Sequence, residues 1–318
     1  QSPQRVAPCR EVGRDRRDRS EAELAGGWSH RESHADRPYA AWRCGEGGYP
    51  AGVTITSADG TDVVVAQEGS GPVVLIVHGG LSDESPWAKV AAALAPSFRV
   101  LRLRRRLYRT ERPSDPATDY AREVEDIAAV TATIAKPCLL VGHSSGAVVA
   151  LEALLAHPEA FAGAVLYEPP VVLEGQVGEP TTVARARAAL AADRPGRALR
   201  IFLAECVRVP AALALLVGVA TRFNADLRRF AGRQIDDTEA IDRLGRRIEA
   251  YAAIQTPTLF VSGDKSPAHL GERTRILAAA MPDARIERLK GLGHDANDRD
   301  PALVATLIID WARAVGLT

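Results

Sequence analysis

Apolar and polar positions along this 318-residue chain fall into two regimes, one before and one after Gly52. From Gly52 onward, short aliphatic runs alternate with stretches of helical period. Val53-Thr54-Ile55-Thr56 and Val63-Val64-Val65-Ala66 flank Asp59-Gly60, a residue pair that favours a tight hairpin turn. The run Val73-Val74-Leu75-Ile76-Val77 has no polar member, which predicts a strand covered on both faces. Residues 99–103, 138–141, 163–167, 258–261 and 285–289 read as further strands, and 87–94, 120–134, 147–156 and 302–315 as helices. A hairpin followed by alternating strands and helices predicts an α/β class: a mostly parallel central sheet with helices on both faces. One interval breaks the alternation. Between Pro169 and Gln255 no strand pattern occurs, and residues 184–192, 198–207, 211–221 and 238–253 read as helices. The predicted organisation is a core of residues 51–168 and 256–318, with 169–255 inserted as a helical cap where it would cover the strand ends.

Residues 1–50 carry no apolar periodicity. Charges of both signs crowd 10–23, and Gly, Ser, Pro and His follow. Such a stretch buries too little apolar surface to offset its ordering entropy, so it reads as a disordered leader, with an arm over the site or a partner as the alternative. It lacks the basic and apolar regions of a secretory signal. Lys plus Arg and Asp plus Glu balance at 40 each, which argues against nucleic-acid binding through bulk charge. No apolar run is long enough to span a bilayer. Cys9, Cys44, Cys138 and Cys206 show no C-x-x-C spacing, so neither a zinc site nor a disulfide framework is expected, and a reducing cytoplasm fits.

The chemistry concentrates at Gly142-His143-Ser144-Ser145-Gly146. An apolar strand, Cys138-Leu139-Leu140-Val141, runs into it, and a helix rich in Ala and Leu leaves it. Strand, sharp turn and helix are the context in which G-x-S-x-G strains a serine and exposes its hydroxyl. Ser144 is therefore the expected nucleophile, with a helix N-terminus behind it to favour developing negative charge. A serine hydroxyl needs a base. His294, in a glycine-rich loop after the final strand, is the expected one. The other histidines have ordinary explanations: His30 and His34 in the leader, His157 at a helix end, His269 at a helix start, His78 in a structural loop, and His143 on the far side of the turn. Asp264 ends the 258–261 strand and is the expected acid, with Glu168, at the end of the 163–167 strand, as the alternative. Asp264 could instead cap the next helix with Ser266 and Pro267. Asp295 reads as a solvated or capping residue.

His78-Gly79-Gly80, the serine pentapeptide, Tyr167-Glu168-Pro169-Pro170, Gly263-Asp264-Lys265-Ser266-Pro267 and Gly291-Leu292-Gly293-His294 occur in an order that resembles the serine α/β-hydrolases with a helical cap. The resemblance covers the chain from about Gly52 onward. It implies the α/β-hydrolase fold, the order nucleophile, acid, base as Ser144, Asp264, His294, and an oxyanion hole from the backbone N–H groups of Ser145 and Gly80, with Leu81 as the alternative to Gly80. A serine at the elbow excludes the aspartyl alkyl-enzyme chemistry of epoxide hydrolases and haloalkane dehalogenases of this fold. Acyl transfer remains: cleavage of a carboxylic ester or thioester through an acyl-serine. C–C bond hydrolysis, acyl transfer or cyclisation, and ligand binding with an idle triad are the alternatives, because one fold hosts many chemistries. No metal or cofactor is expected, since neither ligand spacing nor a phosphate loop occurs. The cap, rich in Ala, Leu and Val with Phe202 and Phe223, implies a small to medium apolar substrate.

The chain departs from that family at Arg104-Arg105-Arg106-Leu107-Tyr108-Arg109, where relatives carry an Asp-x-Arg-Gly type of turn. The ordinary reading is a surface loop with Leu107 and Tyr108 packed inward and the arginines in water. The sharper one turns an arginine toward the pocket to favour an anionic acyl group.

Overall fold

The computed structural model describes residues 52–111 and 120–318. The expected leader, with Cys9, Cys44, His30 and His34, lies outside the described residues. Asp59 accepts the Thr61 N–H at 2.9 Å and Gly60 takes φ +80°, which turns β1 (Gly52–Thr56) back onto β2 (Asp62–Glu68). The chain then alternates through β3 (Val73–Val77), α1 (Ala88–Leu94), β4 (Arg99–Arg104), α2 (Tyr120–Thr131), β5 (Cys138–His143), α3 (Ser145–Ala156) and β6 (Phe161–Tyr167). Five helices follow without a strand: α4 (Pro180–Ala191), α5 (Pro195–Glu205), α6 (Ala211–Ala220), α7 (Ala225–Leu244) and α8 (Ile248–Tyr251). The alternation resumes with β7 (Thr258–Gly263), α9 (Ala268–Ala280), β8 (Ala284–Leu289), α10 (Ala296–Arg299) and α11 (Pro301–Ala314).

The eight strands form one sheet in the order β1-β2-β4-β3-β5-β6-β7-β8. β2 is antiparallel to β1 and β4; every pairing from β4 to β8 is parallel. Successive residues of a strand point to opposite faces. Val73, Leu75 and Val77 accordingly join the core under α2 and α3, while Val74 and Ile76 join the core under α1 and α11. Both faces of β3 are dry, which is why its sequence carries no polar residue. The chain reverses its direction of winding between β3 and β5, and a crevice opens at the carboxyl ends of strands at such a point.

One predicted element is corrected. The helix expected over 238–253 is two helices. α7 begins at Ala225, where the Asn224 side chain accepts the Leu227 N–H at 3.0 Å. It ends at Gly245, with φ +73°, before the short α8. The part of α7 before residue 238 reads poorly as a helix because its buried residues mix Phe230, Ala231 and Ile235 with Arg233, Gln234, Asp236 and Asp237.

Candidate active site

β5 delivers Ser144 to the crevice. Its φ of +53° and ψ of −128° lie outside the helical and extended regions that L-residues prefer. Three neighbours hold it there. The Ser144 N–H donates to the Tyr167 carbonyl at 2.8 Å, and the Ala147 N–H donates to the Ser144 carbonyl at 2.8 Å, beginning α3. A Cβ on Gly146 would lie 2.1 Å from the His78 carbonyl oxygen, so only glycine lets α3 approach the loop after β3 this closely. That loop carries Gly79, Gly80 and Leu81, the last at φ +55°. A Cβ on Gly79 would sit 3.0 Å from Ser144 Cβ, so the His78–Leu81 backbone runs beside the serine.

His294 lies in the loop between β8 and α10. Its Nδ1–H donates to Glu168 Oε2 at 2.6 Å. Glu168 is fully buried directly after β6, with φ +46°. Its carboxylate also accepts the Gly263 N–H at 2.8 Å and the Ser266 hydroxyl at 2.9 Å, so three donors fix its orientation. Asp264 is placed differently. It is exposed, and its Oδ1 accepts the Gly291 N–H at 2.8 Å. The structure thus brings Glu168, the alternative acid, to His294, and gives Asp264 the task of fixing the turn from which the His294 loop departs. Both carboxylates stand at the ends of neighbouring parallel strands; the path of the 291–294 loop decides between them.

His143 corrects a second expectation. Its ring does not avoid the site but packs at 4.7 Å from the His294 ring, and its Nε2–H donates to the His294 carbonyl at 2.9 Å. Burial, then the neighbouring His294, holds its pKa well below the usual value, so it is a neutral spacer. The Tyr167 hydroxyl donates to the Gly293 carbonyl and adds a second tether to the same loop. Of the remaining histidines, His269 donates to the Val207 carbonyl at 2.8 Å and His157 lies 3.9 Å from Glu159.

The arginine run is not the wet loop that its composition implies. Leu107 and Tyr108 are buried as expected, but Arg104 pairs with Glu84 at 2.6 Å, and Arg106 pairs with Asp59 at 2.7 Å and with Asp126. Arg105 is wholly buried. Its guanidinium donates to Glu123 at 2.7 Å, to Asp237 at 2.9 Å and to the Ser145 hydroxyl at 2.7 Å. Asp237, on α7, also accepts the hydroxyls of Tyr108 at 2.8 Å and Tyr120 at 2.7 Å. Burial raises both carboxyls. At Asp237 the guanidinium and the hydroxyl donors outweigh it and the net shift is downward; at Glu123, beside the Asp237 charge, the net shift is upward. Gln234, also on α7, accepts from Tyr108 at 3.2 Å, and its Oε1 would be 2.0 Å from a Cβ on Gly80. One polar cluster therefore backs both Ser145 and Gly80. The sequence signal for it is slight: three consecutive arginines at the carboxyl end of β4.

His78 joins this cluster. Its Nδ1–H donates to the Gly79 carbonyl at 2.7 Å, and its Nε2 accepts the Arg105 N–H at 3.1 Å, which requires the neutral ring. Burial, then the Arg105 charge, pushes its pKa down to about 4. The unfolded chain takes up this proton near pH 6.5, so folding stability is complete above that value and falls as the pH drops toward 4. The loss expected from His78 is about 3 kcal/mol. Urea unfolding at several pH values should show it, with a shallower decline in His78→Gln.

Among the described residues no His, Cys, Asp and Glu grouping could hold a metal ion, and Cys138 and Cys206 are free and buried. No described helix is long and apolar enough to cross a membrane.

The sheet order, the elbow and the loop histidine define an α/β hydrolase. The sequence profile of the alpha/beta hydrolase family matches residues 73–307, and the chain belongs to that family. Among curated proteins, an uncharacterized hydrolase of Bacillus subtilis, YraK, is 33% identical over 113 residues, 35% of this chain and 42% of that protein, less than half its length. The 2-(acetamidomethylene)succinate hydrolase of Mesorhizobium japonicum is 23% identical over 79% of this chain and 91% of its own. Among solved structures, an alpha/beta hydrolase from Sphaerobacter thermophilus superposes with a TM-score of 0.70 and 29% identity, covering 81% of this chain and 100% of that one. An esterase from Exiguobacterium antarcticum superposes with a TM-score of 0.65 and 20% identity, covering 82% and 99%.

Proposed function

We propose that the protein is a serine hydrolase of carboxylic esters, with Ser144 as nucleophile, His294 as base and Glu168 as acid. The 2.6 Å hydrogen bond from His294 Nδ1 to a buried carboxylate carries this reading, because it leaves Nε2 as the nitrogen with a lone pair to accept the serine proton. Ser144 Oγ attacks the ester carbonyl carbon as its proton passes to His294 Nε2. Glu168 holds the ring and stabilises the imidazolium. The carbonyl oxygen, now an oxyanion, accepts hydrogen bonds from the N–H groups of Ser145 and Gly80, and the N-terminus of α3 favours the charge. Collapse breaks the bond to the leaving alcohol, which takes the proton from His294. Water then attacks the acyl-serine by the same path in reverse. Helices α4 to α8 act as the cap, and its buried apolar residues, Phe202 among them, suit a small to medium apolar acyl or alcohol group; Phe223, 87% exposed, and the outer leucines of α6 are not among them. The esterase among the structural neighbours supports the reaction class, whereas the Mesorhizobium enzyme's name marks it as a hydrolase of a succinate derivative.

A fluorophosphonate probe should modify Ser144, as read by mass spectrometry, and p-nitrophenyl butyrate should turn over. Both should vanish in Ser144→Ala. An adduct without turnover would replace hydrolysis by acyl transfer, and a wild-type protein that takes no label would overturn the proposal.

A further inference from the structure

α6 is composed entirely of Ala, Leu, Val and Gly, yet it buries only Ala214. A helix apolar on all sides is normally enclosed by protein. Here Leu213 is 46% exposed, Leu216 65% and, just beyond the helix, Phe223 87%. Leu213 and Leu216, three residues apart, lie on one side of the helix, and Phe223 follows in the turn after it. Val219, one turn on from Leu216, and Leu215, both about half exposed, line a cleft of about 580 Å³ between α5 and α6, so the exposed leucine surface borders that cleft at Val219. Arg194, Arg197, Arg200, Arg222 and Arg228 line that cleft, with Asp193 as the single carboxylate among its lining residues. Among the described residues none of these five guanidiniums is in an ion pair, and Arg228 donates to the Arg222 carbonyl at 2.8 Å, in a chain whose formal charge sums to zero.

We infer that the α5–α6 face docks on an anionic lipid bilayer. Leu213, Leu216 and Phe223 enter the headgroup–acyl boundary, and the arginines meet lipid phosphates. The two features require each other in the occupant. A second copy of the chain would cover the leucines but would bring the same five guanidiniums face to face across a two-fold axis. A small soluble anion would satisfy the guanidiniums and leave the leucines and Phe223 in water. A bilayer with negative headgroups offers acyl chains beneath a layer of phosphate, to which arginine binds through paired N–H groups. This inference does not depend on the reaction assigned to Ser144.

The test is flotation of the full chain with phosphatidylcholine vesicles and with vesicles containing about a third phosphatidylglycerol. Binding should favour the anionic vesicles by roughly tenfold or more and weaken as salt rises. Leu216→Ser with Phe223→Ser, and separately Arg197→Glu with Arg200→Glu, should each lower binding by roughly tenfold or more while thermal unfolding and ester turnover stay at wild-type values. Equal binding to neutral vesicles, or none to anionic ones, would overturn the inference. A dimer on size exclusion that the Leu216→Ser, Phe223→Ser variant converts to monomer would assign the face to a second copy. Full displacement from vesicles by millimolar inorganic phosphate at constant ionic strength would reduce it to a soluble-anion cleft.

Discussion

Ser144→Ala is expected to lower ester turnover roughly a millionfold, and Glu168→Gln about ten-thousandfold, while Asp264→Asn stays close to wild type. The serine removes the attacking atom. Glutamine at 168 keeps the size of the side chain but turns the partner of His294 into an amide. If its NH2 faces the ring, Nδ1 must become the acceptor and the proton moves to Nε2, where it blocks proton transfer from Ser144. The Gly263 N–H and the Ser266 hydroxyl leave the amide little freedom to turn its oxygen toward the histidine. Asparagine at 264 still accepts the Gly291 N–H through its oxygen, so the His294 loop keeps its anchor. Steady-state rates on p-nitrophenyl butyrate, with circular dichroism to check the fold, decide the matter. If Asp264→Asn loses as much as Glu168→Gln, the acid is Asp264.

The second large effect is on stability. Asp237→Ala is expected to destabilise the fold by about 3–5 kcal/mol, because it removes a wholly buried counter-charge from Arg105 and strands the hydroxyls of Tyr108 and Tyr120. In a domain of this size that lowers Tm by roughly 10 °C. The burial matters more than the count of bonds. The exposed pair Lys89–Asp298, at 3.1 Å, should cost no more than about 1 kcal/mol to break. Arg105→Met with Asp237→Leu and Glu123→Leu removes all three charges together and should recover much of the loss, since apolar side chains of similar volume need no partners. Calorimetry on the single and triple variants reads both effects. A near-neutral Asp237→Ala would mean that water reaches Arg105.

Local pattern determines what the sequence reveals here. A strand dry on both faces can carry only apolar residues, so β3 and β5 were legible, and the order of strands and helices followed. The elbow was legible because its steric demands fix residue types within five positions. The partner of His294 was not. Glu168 and Asp264 both end parallel strands, and the choice depends on contacts 126 residues apart in the chain. The arginine run misled for a similar reason. Charges in sequence normally mean water, and nothing near Arg105 announces a carboxylate 132 residues downstream. α7 was half missed because its buried residues interleave Arg233, Gln234, Asp236 and Asp237 with Phe230, Ala231 and Ile235, which blurs the apolar period.

Arg105 also constrains the order in which the chain is made and assembled. When β3, β4, β5 and α3 first leave the ribosome, Glu123 and the Ser145 hydroxyl are already available to it, but Asp237 has not been synthesised. A nascent sheet must therefore keep a charged side chain wet beneath its developing elbow until α7 arrives. The surroundings of Ser144 cannot be completed until α7, translated well after it, has docked.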